Sequence, residues 1–191
     1  MATIHTVGHS NHSIERFIEI LTDAAITAVA DVRSSPYAKY TPHFNRDQIE
    51  HHMNARGITY VFVGDLLGGR PADPGLYDAE GHVRYDLVAG TPAFLEGIER
   101  VVRGMDRYVL AVMCGEEDPT SCHRRRLIAR HLADRGVPAR HLRGDGRILT
   151  EAEVEAREAI DFPERFQLSL MTDPGWRSIH VVPRSAGREL R

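Results

Sequence analysis

Hydrophobic positions along the chain recur with two periods. In "SIERFIEILTDA", Ile14, Phe17, Ile18 and Leu21 fall on one face of a 3.6-residue repeat, and Ser13 stands where a helix cap belongs. "TIHTV" (Thr3–Val7) before it reads as a short strand, and "ITAVADV" (Ile26–Val32) after it as a buried one. "NRDQIEHHMNARG" predicts a helix with Asn45 as cap, Gln48 at the capping-box position and Gly57 as the stop. "ITYVFV" (Ile58–Val63) is a third strand. The Gly- and Pro-rich stretch "GDLLGGRPADPGLYDAEGHVRYD" reads as a long loop, of a length that usually signals function or mobility.

"TPAFLEGIERVVRG" predicts a helix with Thr91 as cap and Pro92 in its first position. "RYVLAVM" (Arg107–Met113) is a fourth strand, followed by a helix from Ser121 to Arg135 that Gly136 closes. "ARHLR" (Ala139–Arg143) is a weaker fifth strand, and "TEAEVEAREA" opens on a capping box of Thr150 and Glu153. From Phe162 onward the periodicity weakens. Strands alternating with helices predict an α/β fold: a mostly parallel sheet flanked by helices on both faces, a Rossmann-like three-layer sandwich. Residues 1–149 are read as one α/β domain. Residues 150–191 are read as a C-terminal helix and irregular tail, packed on that domain or extending from it.

Composition narrows the function classes. The 191 residues carry a formal net charge of -3, which is not the footprint of a general polyanion binder but leaves room for a local basic site. No apolar run approaches the ~20 residues a membrane helix needs. "MATIHTVGHS" lacks the pattern of a signal peptide, so a cytoplasmic protein with no membrane partner is expected. Two cysteines cannot make a disulfide framework, and both are read as reduced thiols.

The unusual residues cluster after the strands. Ligands of parallel sheets bind at the carboxyl ends of the strands. "GHSNHS", "RSSPYAKYTPHF", "GDLLGGR" and "CGEEDPTSCHRRR" follow the first four strands in turn, so all four loops are expected on one edge, around one cleft. Cys122 lies near a helix start among basic residues, where it is either a thiolate nucleophile or a small core residue. Arg124, Arg125 and Arg126 occupy a first helical turn, against the macrodipole. Either Glu116, Glu117 and Asp118 offset them, or at least one arginine holds an anion. Asp31 and Arg33 are either an ion pair or a general base and an anion clamp. Gly68 and Gly69 allow close backbone approach, and Arg70 adds a cation.

Neither a P-loop nor a dinucleotide fingerprint is present, and no cofactor is expected. Cys114, Cys122, His123 and His9 carry ligand atoms, but zinc motifs pair ligands two to four residues apart. Here the cysteines are eight apart, and adjacent Cys-His side chains are expected to diverge, so no metal is expected. Tyr37, Tyr40 and Phe44 among basic residues either stack on bases or anchor their loop, a weak signal for a nucleic-acid partner.

"TVGHSNHSIERFIEIL", "VADVRSSPYAKYTPHFN", "LLGGRP" and "AVMCGEEDPTSCHRRRLIARHL" together resemble the domain of unknown function (DUF) 488 family, from about Thr3 to Arg143. Four motifs in order make the resemblance specific. It implies an α/β fold and marks Gly8, His9, Ser10, Asp31, Arg33, Pro36, Phe44, Gly68, Gly69, Arg70, Cys114, Glu116, Cys122, His123 and Arg124, without implying a reaction. There is also a faint similarity to rhodaneses and cysteine-based phosphatases. Those need Cys-x5-Arg, whereas Cys114 is ten residues before Arg124 and Cys122 only two, so neither activity is expected.

The leading expectation is an Arg/His/Cys-lined cleft for a small anionic or phosphorylated ligand, a nucleotide among the candidates. Its ligand-binding residues would be Ser10, Arg33, Gly68, Gly69, Arg70, His123 and Arg124. If it is an enzyme, His9, Asp31 and Glu116 are the acid–base candidates and Cys122 the nucleophile. The alternative is a non-catalytic module that binds nucleic acid or protein through the same basic loops. A third reading makes the motifs ion-paired staples between loops.

Overall fold

A computed structural model describes residues 2–165 and 176–182. In chain order the elements are β1 (Ile4–Gly8), α1 (Ile14–Asp23), β2 (Ala28–Asp31), α2 (Arg46–Asn54), β3 (Thr59–Phe62), α3 (Gly64–Leu67), α4 (Tyr85–Val88) and α5 (Pro92–Met105). Then follow β4 (Leu110–Cys114), α6 (Arg130–Asp134), β5 (Ala139–Leu142), β6 (Ile148–Thr150) and α7 (Glu151–Asp161). The strands form one sheet in the order β3-β2-β4-β1-β5-β6. The first five run parallel, and β6 pairs antiparallel with β5.

Alternation along the strands sorts the core. Leu110, Val112 and Cys114 of β4 pack with Ala28, Ala30, Phe94, Ile98, Leu127 and Ile128 on one face. Ala111 and Met113 pack with Val29, Phe17, Leu21, Ile49 and Met53 on the other. Helices α1 and α2 therefore cover one face, and α5 and residues 124–134 the other, giving the three-layer α/β sandwich that the strand–helix alternation predicts. From β1 the chain continues toward β2, and from β4 toward β5, in opposite directions from adjacent strands. That pair marks the topological switch point, where such sheets hold their ligands.

Caps follow the predicted residues with one exception. Ser13 accepts from Arg16 N, Thr91 from Phe94 N, and Thr150 with Glu153 closes a capping box. Asn45 stands at the N-cap position of α2 but does not cap it; its Oδ1 accepts from Ala38 N at 2.7 Å and ties down the loop after β2.

The stretch read as one long loop holds α3, a 3-10 turn at Pro74–Leu76 and α4. Four-residue helices are too short to show a hydrophobic period. The segment from Trp176 returns onto this region, with Ser178 N donating to Val83 O and Asp86 N to Trp176 O. The rest of the expected tail, residues 166–175 and 183–191, lies outside the described residues.

The helix predicted from Ser121 to Arg135 is three pieces: a 3-10 turn at Pro119–Ser121, a π-helical turn at Arg124–Ala129, and α6. The wider π turn carries more residues per turn than an α-helix. Arg124, Arg125, Leu127, Ile128 and Ala129 are all buried within it. Among the described residues, no helix is long and apolar enough to cross a membrane.

Candidate functional site

The loops after the first four strands meet on one edge of the sheet and interlock through their backbones. Gly8 ends β1 beside Cys114, which ends β4. Beyond them His9 N donates to Cys114 O at 3.0 Å and Ser10 N to Gly115 O at 2.9 Å. Ser10 adopts a φ of 46°, a left-handed conformation that is uncommon outside glycine. A side chain on Gly8 would lie 1.8 Å from Glu116 O, so only glycine lets the β4 loop cross the end of β1. The loop after β3 is pinned by Arg70 N donating to Ser34 Oγ at 2.9 Å. Gly69 lies so close to His123 that a Cβ would come within 2.7 Å of its ring.

Asp31 and Arg33 form a buried ion pair. Arg33 donates through Nε to both carboxylate oxygens and through Nη2 to Oδ2 at 2.6 Å, and its backbone N donates to Oδ1. Tyr60 Oη adds a fourth kind of donor, to Oδ2 at 2.7 Å. Both carboxylate oxygens are thus engaged within the protein. Arg33 Nη1 bridges His9 Nε2 at 3.0 Å and Phe44 O at 2.9 Å. With Nδ1 at 2.8 Å from Ser10 O, His9 is an Nδ1–H tautomer whose Nε2 lone pair accepts from Arg33. Its ring stacks on Phe44 at 4.3 Å between centroids. Burial, and after it the Arg33 charge, lowers the His9 pKa to about 4, so the ring is neutral near pH 7.

A second cluster lies beside the first. His123 Nδ1 is 3.6 Å from Cys114 Sγ and 3.9 Å from Cys122 Sγ. His123 Nε2 sits 3.1 Å from Val32 O and donates to it, which leaves the Nδ1 lone pair facing the two thiols. Adjacent Cys122 and His123 converge rather than diverge because the backbone changes state between them. Cys122 is extended (φ -91°, ψ 140°) and His123 is helical (φ -62°, ψ -27°). Of the two thiols, Cys114 rather than Cys122 is favoured as the thiolate. Burial raises the Cys122 pKa, whereas the hydrogen bond from Cys122, followed by the Arg124 charge, lowers Cys114 to about 7.

The three consecutive arginines part company. Arg124 is fully buried and donates to the carbonyls of Glu116 and Glu117, while its Nε has no partner among the described residues. Arg125 binds Glu151 and Glu158, each at 2.6 Å, and Arg126 binds Glu158 at 2.9 Å. The acids that pair with Arg125 and Arg126 come from α7, not from the adjacent Glu116-Glu117-Asp118 run. Glu117 instead pairs with Arg143 at 2.7 Å, and the Glu116 carboxylate faces solvent. Arg70 is exposed at the rim. Among the described residues its guanidinium makes no ion pair.

Sequence reasoning thus brings His9, Ser10, Asp31, Arg33, Gly68, Gly69, Arg70, Glu116, Cys122, His123 and Arg124 to one edge, but in two built clusters rather than one ring of free cations. It missed Tyr60, Glu151 and Glu158. Tyr60 and Glu158 had one legible sign, a polar group on an otherwise apolar periodic face. A cavity of about 850 Å³ lies elsewhere, bordered by Arg125, Arg126, Arg130, Glu155, Glu158 and Trp176.

A model of the family described as Domain of unknown function DUF488 matches residues 13–139, more than half of the chain. The match is narrower than the motif resemblance at both ends and leaves Gly8, His9 and Ser10 outside. No curated protein and no solved structure matches the chain.

Proposed function

The chain belongs to the DUF488 family, a family defined by its domain and not by a reaction, and from the geometry of its own site we propose that it binds a small anionic or phosphorylated ligand at the carboxyl edge, beside the ends of β1, β2 and β4. One observation carries this reading. Arg124 is 0% exposed, and among the described residues its guanidinium donates to carbonyl oxygens and to no carboxylate. A buried charge without a counter-charge is costly, and an anion bound nearby offsets that cost. Arg70, exposed and without an ion pair among the described residues, offers a further guanidinium fork on the loop packed against His123.

If the site is catalytic, its free reactive groups are the Cys114 and Cys122 thiols, His123 Nδ1 and the exposed Glu116 carboxylate. His9 and Asp31 have their lone pairs committed to Arg33 and Tyr60, so they position the Arg33 frame. Nucleotides remain among the ligand candidates, since they present the same phosphate chemistry.

The test is the melting temperature across a titration of inorganic phosphate, pyrophosphate and nucleotides. A ligand at a hundred times its dissociation constant adds ~2.7 kcal/mol of stability. Arg70→Ala, a surface change, should lower that gain while leaving the unliganded melting point in place. No shift in wild type with any of these anions would sink the reading. A second reading has its own observation: Tyr37 and Tyr40 are 60% and 89% exposed, and Lys39 lies 5.7 Å from the Tyr40 ring centroid. Those side chains suit stacking on single-stranded nucleic acid. Tyr40→Ala would then weaken oligonucleotide binding and leave the phosphate shift unchanged.

A further inference from the structure

We infer that Cys114, Cys122 and His123 form a binding site for a thiophilic divalent cation, with Zn²⁺ as the fitting ion, to which the described residues supply three ligands. Nothing in the proposal for an anionic ligand requires this site, and the two are tested separately.

The first support is distance. In tetrahedral zinc sites Zn–S is about 2.3 Å and Zn–N about 2.0–2.1 Å, which places a nitrogen and a sulfur about 3.6 Å apart. His123 Nδ1 lies 3.6 Å and 3.9 Å from the two sulfurs, and the three ligand atoms all fall within 4.8 Å of one another. The ligands are therefore gathered at coordination spacing by the fold alone.

The second support is the orientation of the imidazole. A metal-bound histidine usually donates its other ring N–H to a carbonyl or carboxylate, which fixes both tautomer and ring direction. His123 Nε2 does this toward Val32 O at 3.1 Å. Gly69 braces the ring from the side, since any Cβ there would press on Cγ and Nδ1 at 2.7 and 2.8 Å. The glycine in "LLGGRP" thus has a task at His123, beyond leaving room for a ligand.

The third support is how the ligands are delivered. Cys114 comes from the last position of β4 and Cys122 from the turn that precedes the π segment, so the eight-residue spacing is an excursion that returns to its starting point. Asp118 caps the intervening 3-10 turn by accepting from Thr120 N at 2.8 Å. Two thiolates and a neutral imidazole around a divalent ion make a cluster of zero net charge, which tolerates burial. Soft sulfur donors with imidazole select zinc over magnesium or calcium, which prefer oxygen.

The experiment uses the full chain, reduced and handled without oxygen. Zinc bound after dialysis is counted by elemental analysis, and Co²⁺ is added in its place as a spectroscopic probe. The expected result is one ion per chain. The cobalt form should show the thiolate-to-metal charge-transfer band and the intense visible bands of a tetrahedral site. Zinc should also protect both cysteines of wild type from alkylation, a readout that needs no variant. Cys122→Ser and His123→Asn should each weaken the bands and bind more weakly, Mg²⁺ should compete with neither ion, and Arg70→Ala should keep the full spectrum. Sub-stoichiometric zinc, octahedral cobalt, unprotected thiols, or unchanged spectra in both ligand variants would each overturn the site. So would a disulfide between Cys114 and Cys122 that persists under reductant. A failed phosphate titration alongside an intact cobalt spectrum would reject the anion reading alone.

Discussion

Arg33 grips the carboxylate of Asp31, two residues behind it, through Nε and Nη2, and its own backbone N–H donates to the same group. The pair is 7% and 0% exposed at the side chains, so it gains little from solvent and depends on its geometry. Removing one partner of such a pair costs about 3–5 kcal/mol, because the other charge stays buried and unmatched. Asp31→Asn and Arg33→Leu should each lose an amount of this order in urea denaturation. The double variant should lose less than the sum. Additive losses would show that the two charges do not depend on each other.

His9 gives stability an acid limit. Its folded pKa of about 4 lies below the ~6.5 of an unfolded histidine. Above pH 6.5 both states are neutral and the group contributes nothing to the pH dependence. As pH falls from there, the unfolded chain takes up a proton that the folded ring refuses, and stability drops until about pH 4. The shift corresponds to a loss of roughly 3 kcal/mol at most, at about 1.4 kcal/mol per unit. An imidazole titration followed by NMR, with urea midpoints across the same range, checks this. A His9 resonance that titrates near 6.5 would refute it.

Gly8→Ala should be among the most damaging single-methyl changes in the protein. The added carbon would lie 1.8 Å from Glu116 O, a backbone atom with no flexible end to move aside. Overpacking of this kind costs about 1–3 kcal/mol or more. Gly136→Ala is the control: it meets nothing within 4 Å and pays only for a φ of +78°, roughly 1–2 kcal/mol. Thermal melts of the two variants should rank Gly8→Ala clearly lower. Equal melting points would mean that the β4 loop can lift away from β1.

Arg124→Ala is expected to unsettle the fold, contrary to what a surface anion-binding arginine would show. The side chain is fully buried and holds the carbonyls of Glu116 and Glu117. Its loss should lower the melting point without any ligand present, whereas Arg70→Ala should not. Circular dichroism melts in phosphate-free buffer make the comparison directly.

The alternation of apolar runs made the sheet and its flanking helices readable, because β1, β2 and β4 are buried on both faces and α1 and α5 carry clean amphipathic stripes. The edge that gathers the site followed from parallel topology alone. Less was legible where partners lie far apart in sequence. Arg125 meets Glu151 and Glu158, 26 and 33 residues away, and no local pattern announces such a pairing. The π turn was equally hidden, since its signature is a change of phase that a run of three arginines masks. Convergence of Cys122 and His123 depended on a backbone switch between two neighbouring residues, which spacing rules do not encode. The antiparallel β6 was missed because three residues carry no period.

Glu158 sits 5% exposed on α7 and receives Arg125, Arg126 and, at 3.4 Å, Arg165. On the same helix Glu151 joins Arg125 to His141, whose other nitrogen meets Thr6 of the central strand. A chain ending at Leu149 would retain the five parallel strands yet strand Arg125 inside the protein with neither of its carboxylates. The stretch recognisable by family likeness stops at residue 139, so the shortest piece able to stand alone would be longer than the piece that kinship delimits. In this molecule α7 acts as a counterweight to charges that the segment after β4 has already committed.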